Sequence, residues 1–123
     1  MFPFARQIQS ATDHSRHFCA RVAGVDLMRF EDNEQTFAEL HTRIEKTIAC
    51  LDTFKPEQPL DNEAKEIGYA LPNGTQRKFP SAEAYFATSA MPNFWFHVTS
   101  AYAILRHYGV EIGKMDFMGG WKG

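Results

Sequence analysis

Histidine side chains are the clearest candidates for chemistry in this chain, which contains five of them. His97 lies in the most apolar segment, residues 91–109, which has a proline near its start and a glycine at its end, as a helix often does. Helical periodicity places His97 at the border of the apolar face, and it places His14 and His41 at the inward edges of two earlier helices. Three imidazoles from three helices can hold zinc or nickel and leave a position open for water. Such a site could support hydrolysis or thiol transfer.

A structural role for the same histidines is the competing interpretation. An imidazole at the edge of a bundle core is commonly held by a hydrogen bond to a carbonyl or hydroxyl oxygen. No Ser-His-Asp, glycine-rich phosphate-loop or paired-carboxylate pattern accompanies these histidines, so no catalytic residue is assigned. The neighbouring aromatic side chains are expected to pack in the core, with a small-molecule site around Trp95 and Tyr102 as the alternative. They are Phe94, Trp95, Phe96, Tyr102 and Tyr108.

The first helix is predicted over residues 3–23, with Pro3 in its first turn and Gly24 at its end. Its apolar stripe advances in alternating steps of four and three residues, which is typical of packing in a helical bundle. The stripe consists of Phe4, Ile8, Ala11, Ser15, Phe18 and Val22. His14 lies beside this stripe, whereas His17 points away from it. We therefore expect only His14 to face inward from this helix.

A second amphipathic helix is predicted to begin between Asp32 and Thr36 and to end near Thr53. Thr36 and Glu39 have the capping-box spacing, in which hydroxyl and carboxylate each accept a hydrogen bond from an otherwise unpaired backbone N–H. The apolar positions recur at steps of three and four residues. They are Phe37, Leu40, Ile44, Ile48 and Leu51. Charged residues, Arg43 among them, are expected on the outer or flanking faces.

The middle of the chain changes from helical to strand periodicity. After a loop predicted over residues 54–65, residues 66–71 alternate between apolar and polar side chains. Asn73 and Gly74 accommodate the positive φ angles of a tight turn, and residues 75–79 return as a second strand. The pattern predicts a short β-hairpin that must lean on the helices, because a lone hairpin is marginally stable in water.

A further helical stretch begins near Ser81, whose hydroxyl can cap the first turn. This helix either ends before Pro92 or continues through it with a kink, because proline removes one backbone hydrogen bond. Together the elements predict an all-α fold, an up-and-down bundle of three to four helices with a β-hairpin inserted before the final helices.

Size and composition are those of one globular domain, residues 1–123, with 44% hydrophobic and 23% charged residues. A net charge of −2 gives no support to nucleic-acid binding or to attachment to an anionic membrane. The chain has neither the long apolar run of a membrane helix nor the order of a signal peptide at its start, so a cytoplasmic location is expected. Cys19 and Cys50 fall within predicted helices and are expected to be buried thiols rather than a disulfide.

Three segments of the chain have a distinctive sequence, and the third is the longest and most specific. They are Met1-Phe2-Pro3-Phe4-Ala5-Arg6-Gln7, Thr36-Phe37-Ala38-Glu39-Leu40 with Arg43-Ile44, and Pro92-Asn93-Phe94-Trp95-Phe96-His97-Val98-Thr99 through Gly113-Lys114-Met115-Asp116-Phe117. On these segments, the chain resembles the DinB/YfiT-like superfamily of bacterial four-helix bundles. It is most similar to the uncharacterised branch of that superfamily, a domain of unknown function.

The resemblance implies a bundle in which a further helix precedes the position of Met1, so that this chain would have the domain without its first helix. An open side of the bundle would expose apolar side chains and favour a partner helix or a second copy of the chain, as in a homodimer. The resemblance also implies a metal site formed by a histidine from an early helix and a His-x-x-x-His pair on the last one. Here Ala101 stands four residues after His97, so that the pair is broken.

Two functions follow from these features. The first is a non-catalytic bundle, or one with a degenerate metal site, that self-associates or binds a partner through its apolar face. The alternative is a divalent-metal-dependent enzyme of hydrolase or thiol-transferase type, with zinc or nickel held by His14, His97 and His41. The broken histidine pair favours the first function.

Overall fold

The computed structural model describes residues 1–55 and 65–120 of the 123-residue chain. Within these residues the chain forms a helical bundle with a small antiparallel hairpin, which confirms the predicted fold class. The elements are α1 (Phe4–Ala23), α2 (Phe37–Leu51), β1 (Ile67–Ala70), β2 (Gln76–Phe79), α3 (Ala82–Tyr85), a π-helical turn (Phe86–Ala90), α4 (Met91–His107) and α5 (Lys114–Phe117). The loop predicted over residues 54–65 lies largely outside the described residues. None of the described helices is long and apolar enough to cross a membrane.

α1 is the central helix of the bundle. It begins after Pro3 and ends at Gly24, where a left-handed φ of 70° lets the N–H groups of Gly24 and Val25 bond back to helix carbonyls. Both ends confirm the prediction from the sequence. α1 packs against α4 and against α2, whereas α2 and α4 share no contact of comparable extent in the described part of the chain. The three long helices therefore lie in the order α2, α1, α4.

The face that α2 turns toward α1 is more polar than the sequence pattern predicts. Leu40, Arg43 and Thr47 are buried, whereas Phe37 is 71% and Ile48 is 54% exposed. The predicted apolar stripe of α2 is therefore wrong as a description of its buried face, and Arg43 does not lie on an outer face. The reason is the partner surface, because α1 presents a hydroxyl and a carboxylate that a cationic side chain can satisfy together.

Arg43 anchors α2 through all of its guanidinium nitrogens. Nε donates to the Thr12 hydroxyl at 2.8 Å, and Nη2 donates to the Asp13 carboxylate at 2.8 Å. Nη1 donates to the Glu34 carboxylate at 3.0 Å. A second buried arginine, Arg16, bonds the same Asp13 carboxylate. Because the acceptors come from α1 and from the connection before α2, this network holds both helices and their connection in one arrangement.

The hairpin is stabilised by an apolar core around buried Tyr85. Its strands pair with Ile67 opposite Phe79, and Gly74 turns the chain with a left-handed φ of 84°. The core consists of Ile67, Phe79, Ala82, Tyr85 and Ala90, with Phe18, Val22 and Tyr69 packed against it. The predicted hairpin is therefore confirmed, and so is its dependence on the helices for burial.

α3 continues into α4 through the π-helical turn. Ser81 caps α3, as predicted, by accepting a hydrogen bond from a backbone N–H at 3.1 Å. Of the two alternatives at Pro92, continuation is the one observed. The wider turn accommodates Pro92, whose missing N–H removes one bond where the helix changes from the π to the α form. Asn93 donates its side-chain amide to the Ser89 carbonyl at 2.8 Å, which satisfies a backbone acceptor within this turn.

Substitution of Arg43 by alanine should lower the free energy of unfolding by about 3 kcal/mol, because it removes the hydrogen bonds that Arg43 donates to Thr12, Asp13 and Glu34 from a buried network. Urea unfolding followed by far-ultraviolet circular dichroism measures this loss. Lys46→Ala, an exposed substitution in the same helix, should change the free energy by less than about 0.5 kcal/mol. A loss in Arg43→Ala no larger than that of Lys46→Ala would show that the network does not hold α2 in place.

Candidate functional site

His97 is buried where α4 packs against α1, with 7% of its surface exposed. This position is deeper than the border of the apolar face that the sequence pattern predicts. Its Nδ1 lies 2.7 Å from Oε1 of Gln7, a residue of α1 that is only 1% exposed. The sequence pattern does not identify Gln7, because a glutamine outside the apolar stripe carries no sign of burial. Ala101, which interrupts the His-x-x-x-His spacing, is also buried.

The hydrogen bonds of Gln7 determine which nitrogen of His97 carries a proton. The amide Nε2 of Gln7 donates to the Phe2 carbonyl at 3.1 Å, so the amide oxygen is the atom that faces His97. An amide oxygen only accepts hydrogen bonds, and Nδ1 of His97 is therefore the donor. Neutral His97 then keeps its unshared electron pair on Nε2. Among the described residues, no hydrogen-bond partner is found for this Nε2.

His14 of α1 stacks beside His97, with 5.5 Å between the ring centroids and 15° between the ring planes. Burial is the main cause that lowers the pKa of His14 to about 4; His97 and His17 act in the same direction and Asp13 opposes them. Burial also lowers the pKa of His97, with a further contribution from Arg6. Both imidazoles of the pair are therefore neutral at pH 7.

His41 does not join this pair. Its side chain is 73% exposed on α2, with Nε2 3.2 Å from Oε1 of Glu45. The predicted inward position of His41 is wrong, because α2 is oriented to bury Arg43 instead. In the described part of the chain, no group of three His, Cys, Asp or Glu side chains is arranged to hold a metal ion. The structure thus brings together two of the three candidate ligands, His14 and His97.

An open apolar groove of about 850 Å³ runs along α4 and adjoins the histidine pair. Phe2 and Phe96 line the groove and also contact the His97 ring. None of the lining residues that the structure describes is Asp, Glu, Lys or Arg. The apolar surface extends toward α2, since the ring of Phe4 in the groove lies 5.6 Å from the exposed ring of Phe37.

Two aromatic residues of α4, Trp95 and Tyr102, differ in their relation to this groove. Trp95 lines the groove, whereas Tyr102 does not, and both contact Phe117 of α5 at centroid distances of 5.7 and 5.6 Å. A small-molecule site in this region stays a prediction, and its place would be the groove itself.

Fold and site together define a DinB-like helical bundle. The crystal structure of a DinB family member protein from Shewanella denitrificans is similar to this chain, with a TM-score of 0.85 and 34% sequence identity over 100% of this chain and 68% of that chain. Residues 1–118 match the family described as a domain of unknown function, DUF1993. The chain therefore belongs to this family, which confirms the resemblance inferred from the sequence. No curated protein matches the chain.

Burial of His14 should make stability depend on pH. In the unfolded chain His14 takes up a proton near its ordinary pKa of 6.5, whereas in the folded protein it does so only near pH 4. The unfolded state binds more protons between these two values, so the folded protein loses stability as the pH falls through this window. His14→Gln should reduce that dependence, which the urea midpoint measured at several pH values within the window reports.

The matched control is His41→Gln, whose side chain is 73% exposed on α2 and lies outside the groove. This variant should nearly keep the pH dependence of the unmodified protein, because it removes only an exposed pair with Glu45. Equal slopes in all three proteins would contradict the assignment of His14 as a partly buried, neutral imidazole.

Proposed function

We propose that this protein is a non-catalytic DinB-like bundle that self-associates or binds a partner through the groove on α4. The observation that supports this proposal is the groove itself, an apolar surface whose described lining holds no charged side chain. Five large side chains in it are about half exposed or more. They are Met1, Phe2, Trp95, Phe96 and Tyr108. Contiguous apolar patches of this kind on soluble proteins mark interaction sites.

The histidine pair has a structural role in this proposal, because it joins α1 to α4 and shapes the groove. Gln7 bonds Nδ1 of His97 and also holds the Phe2 carbonyl. The Phe2 ring stacks on His97, with 6.1 Å between centroids, and forms part of the groove wall. A neutral imidazole suits this role, since it donates one hydrogen bond and packs its ring without placing a charge in the interior.

Sedimentation at micromolar protein concentration should give a mass above the 14.1 kDa of one chain. If the chain is instead a folded monomer that awaits a partner, it should bind an apolar dye at the groove. The measurement is made under reducing conditions, because we propose a cytoplasmic location on the basis of the free thiols of Cys19 and Cys50. Phe96→Ser should lower association or dye binding. Met28→Ser removes a side chain of similar exposure outside the groove and should not.

A well-folded monomer that binds no dye would remove the basis of the proposal. Equal effects of Phe96→Ser and Met28→Ser would show that the groove is not the surface responsible.

A divalent-metal-dependent enzyme is the second candidate, and one observation favours it. Two imidazoles that share a tetrahedral ion, each at about 2.1 Å from a ring nitrogen, have ring centroids about 5 Å apart. The centroids of His14 and His97 are 5.5 Å apart, close to that separation, and the nearly parallel rings, 15° apart, would rotate to direct one nitrogen each at zinc or nickel. Water would fill the remaining positions, as hydrolase or thiol-transferase chemistry requires.

Metal analysis separates the two candidates. On protein prepared without chelators or tag histidines, the proposed non-catalytic bundle should contain no stoichiometric zinc or nickel, even after incubation with either metal. Near-stoichiometric metal that is lost in His97→Ala but kept in His41→Ala would instead favour the enzyme candidate. Circular dichroism of both variants should show unchanged helix content, so that loss of metal is not loss of fold.

A further inference from the structure

We infer that the groove on α4 is filled by a second copy of this chain, with the two α4 helices packed antiparallel about a two-fold axis. This inference rests on the proposed function and specifies both the occupant and the geometry of association. Three features carry it: the area of the groove, its lack of charge, and the order of large and small side chains along α4.

The exposed apolar area approaches the size of a stable dimer interface. The five large side chains of the groove are between 46% and 94% exposed. If each has about 200 Å² of surface, they present about 600 Å² before the smaller lining residues are counted. Phe37, which is 71% exposed and contacts Phe4 at the groove edge, adds to the same surface. A standard interface covers about 800 Å² on each partner, so the groove approaches that size.

The absence of charge favours a copy of the same surface as the occupant. In a two-fold interface each patch meets itself, and any Lys, Arg, Asp or Glu near the axis would meet a like charge. No such side chain is among the described lining residues, in which Met1 supplies an α-amino group and His107 an imidazole. The lining therefore has no Lys, Arg, Asp or Glu side chain to steer a strongly acidic or basic partner. A surface of this kind is complementary to its own copy.

The order of side chains along α4 matches an antiparallel pairing. The bulky residues Trp95 and Phe96 lie toward one end of the groove and Tyr108 lies at the other. Thr99 and Ala103, between them, are small enough to let two helix backbones approach closely. A two-fold axis between these small residues would place Thr99 against the partner copy's residue 103 and Trp95 against its residue 107, beside its residue 108. The sequence of large, small and large side chains is thus the same when read from either helix.

The test is the dimer dissociation constant, measured by sedimentation over a range of concentrations. The unmodified chain should dimerise, and Ala103→Glu should raise the dissociation constant about tenfold or more, because it places two carboxylates in an uncharged interface. Tyr108→Ala should also weaken the dimer, through loss of an aromatic contact at its edge. Ala49→Glu, which makes the same change at an exposed position of α2, should leave the constant unchanged.

Ala103 and Tyr108 are exposed, so the urea midpoint of each variant should stay close to that of the unmodified chain at protein concentrations below its dissociation constant. A dimer that Ala103→Glu and Tyr108→Ala leave intact would overturn the inference, because the chain would then self-associate through a surface other than the groove. A monomer that still binds apolar dye at the groove would exclude a second copy as the occupant. The proposed function would then remain as the binding of another partner. A monomer without dye binding would overturn both.

Discussion

A buried guanidinium determines the orientation of α2 and, through it, the surface of the bundle. Arg43 must face the hydroxyl and carboxylates that bond it, because an unpaired charge in the interior would cost several kcal/mol. α2 therefore turns Leu40 inward together with Arg43, and leaves Phe37 and Ile48 largely in solvent. Side chains that would fill the core beneath an ordinary amphipathic helix remain outside. One of them, Phe37, meets Phe4 at the edge of the groove.

α1 contacts both neighbouring helices through polar side chains, whereas the helices of a bundle usually meet through apolar ones. Toward α2 it presents Thr12 and Asp13, and toward α4 it presents Gln7 and His14. Hydrogen bonds are directional, so they define the rotation of each helix more narrowly than apolar contacts do. The interior thus specifies the arrangement of the helices, while much of the aromatic surface is left free to contact another molecule.

The sequence predicts those features of the fold that depend on local chemistry. Helix punctuation at Gly24, the capping box at Thr36 and the turn at Gly74 all lie where the pattern predicts, because each needs only neighbouring residues. The buried face of α2 and the partner of His97 could not be predicted in the same way. Burial of Arg43 depends on acceptors up to 31 residues away, and Gln7 lies 90 residues from the histidine it bonds. Helical periodicity identifies apolar faces and carries no information about hydrogen-bond partners that are distant in the sequence.

The π-helical turn before α4 makes the length of this segment critical. It holds one residue more than an α-helical turn, so α4 is rotated by about 100° from the orientation that an uninterrupted helix would give it. Deletion of a single residue from this turn would restore a regular helix and carry His97 away from Gln7, while the hairpin kept its place on α3. Among related chains, we therefore expect the loops to differ in length more often than the π-helical turn does. The length of the turn thus fixes the rotation of α4 relative to the hairpin, and with it the position of His97 relative to Gln7.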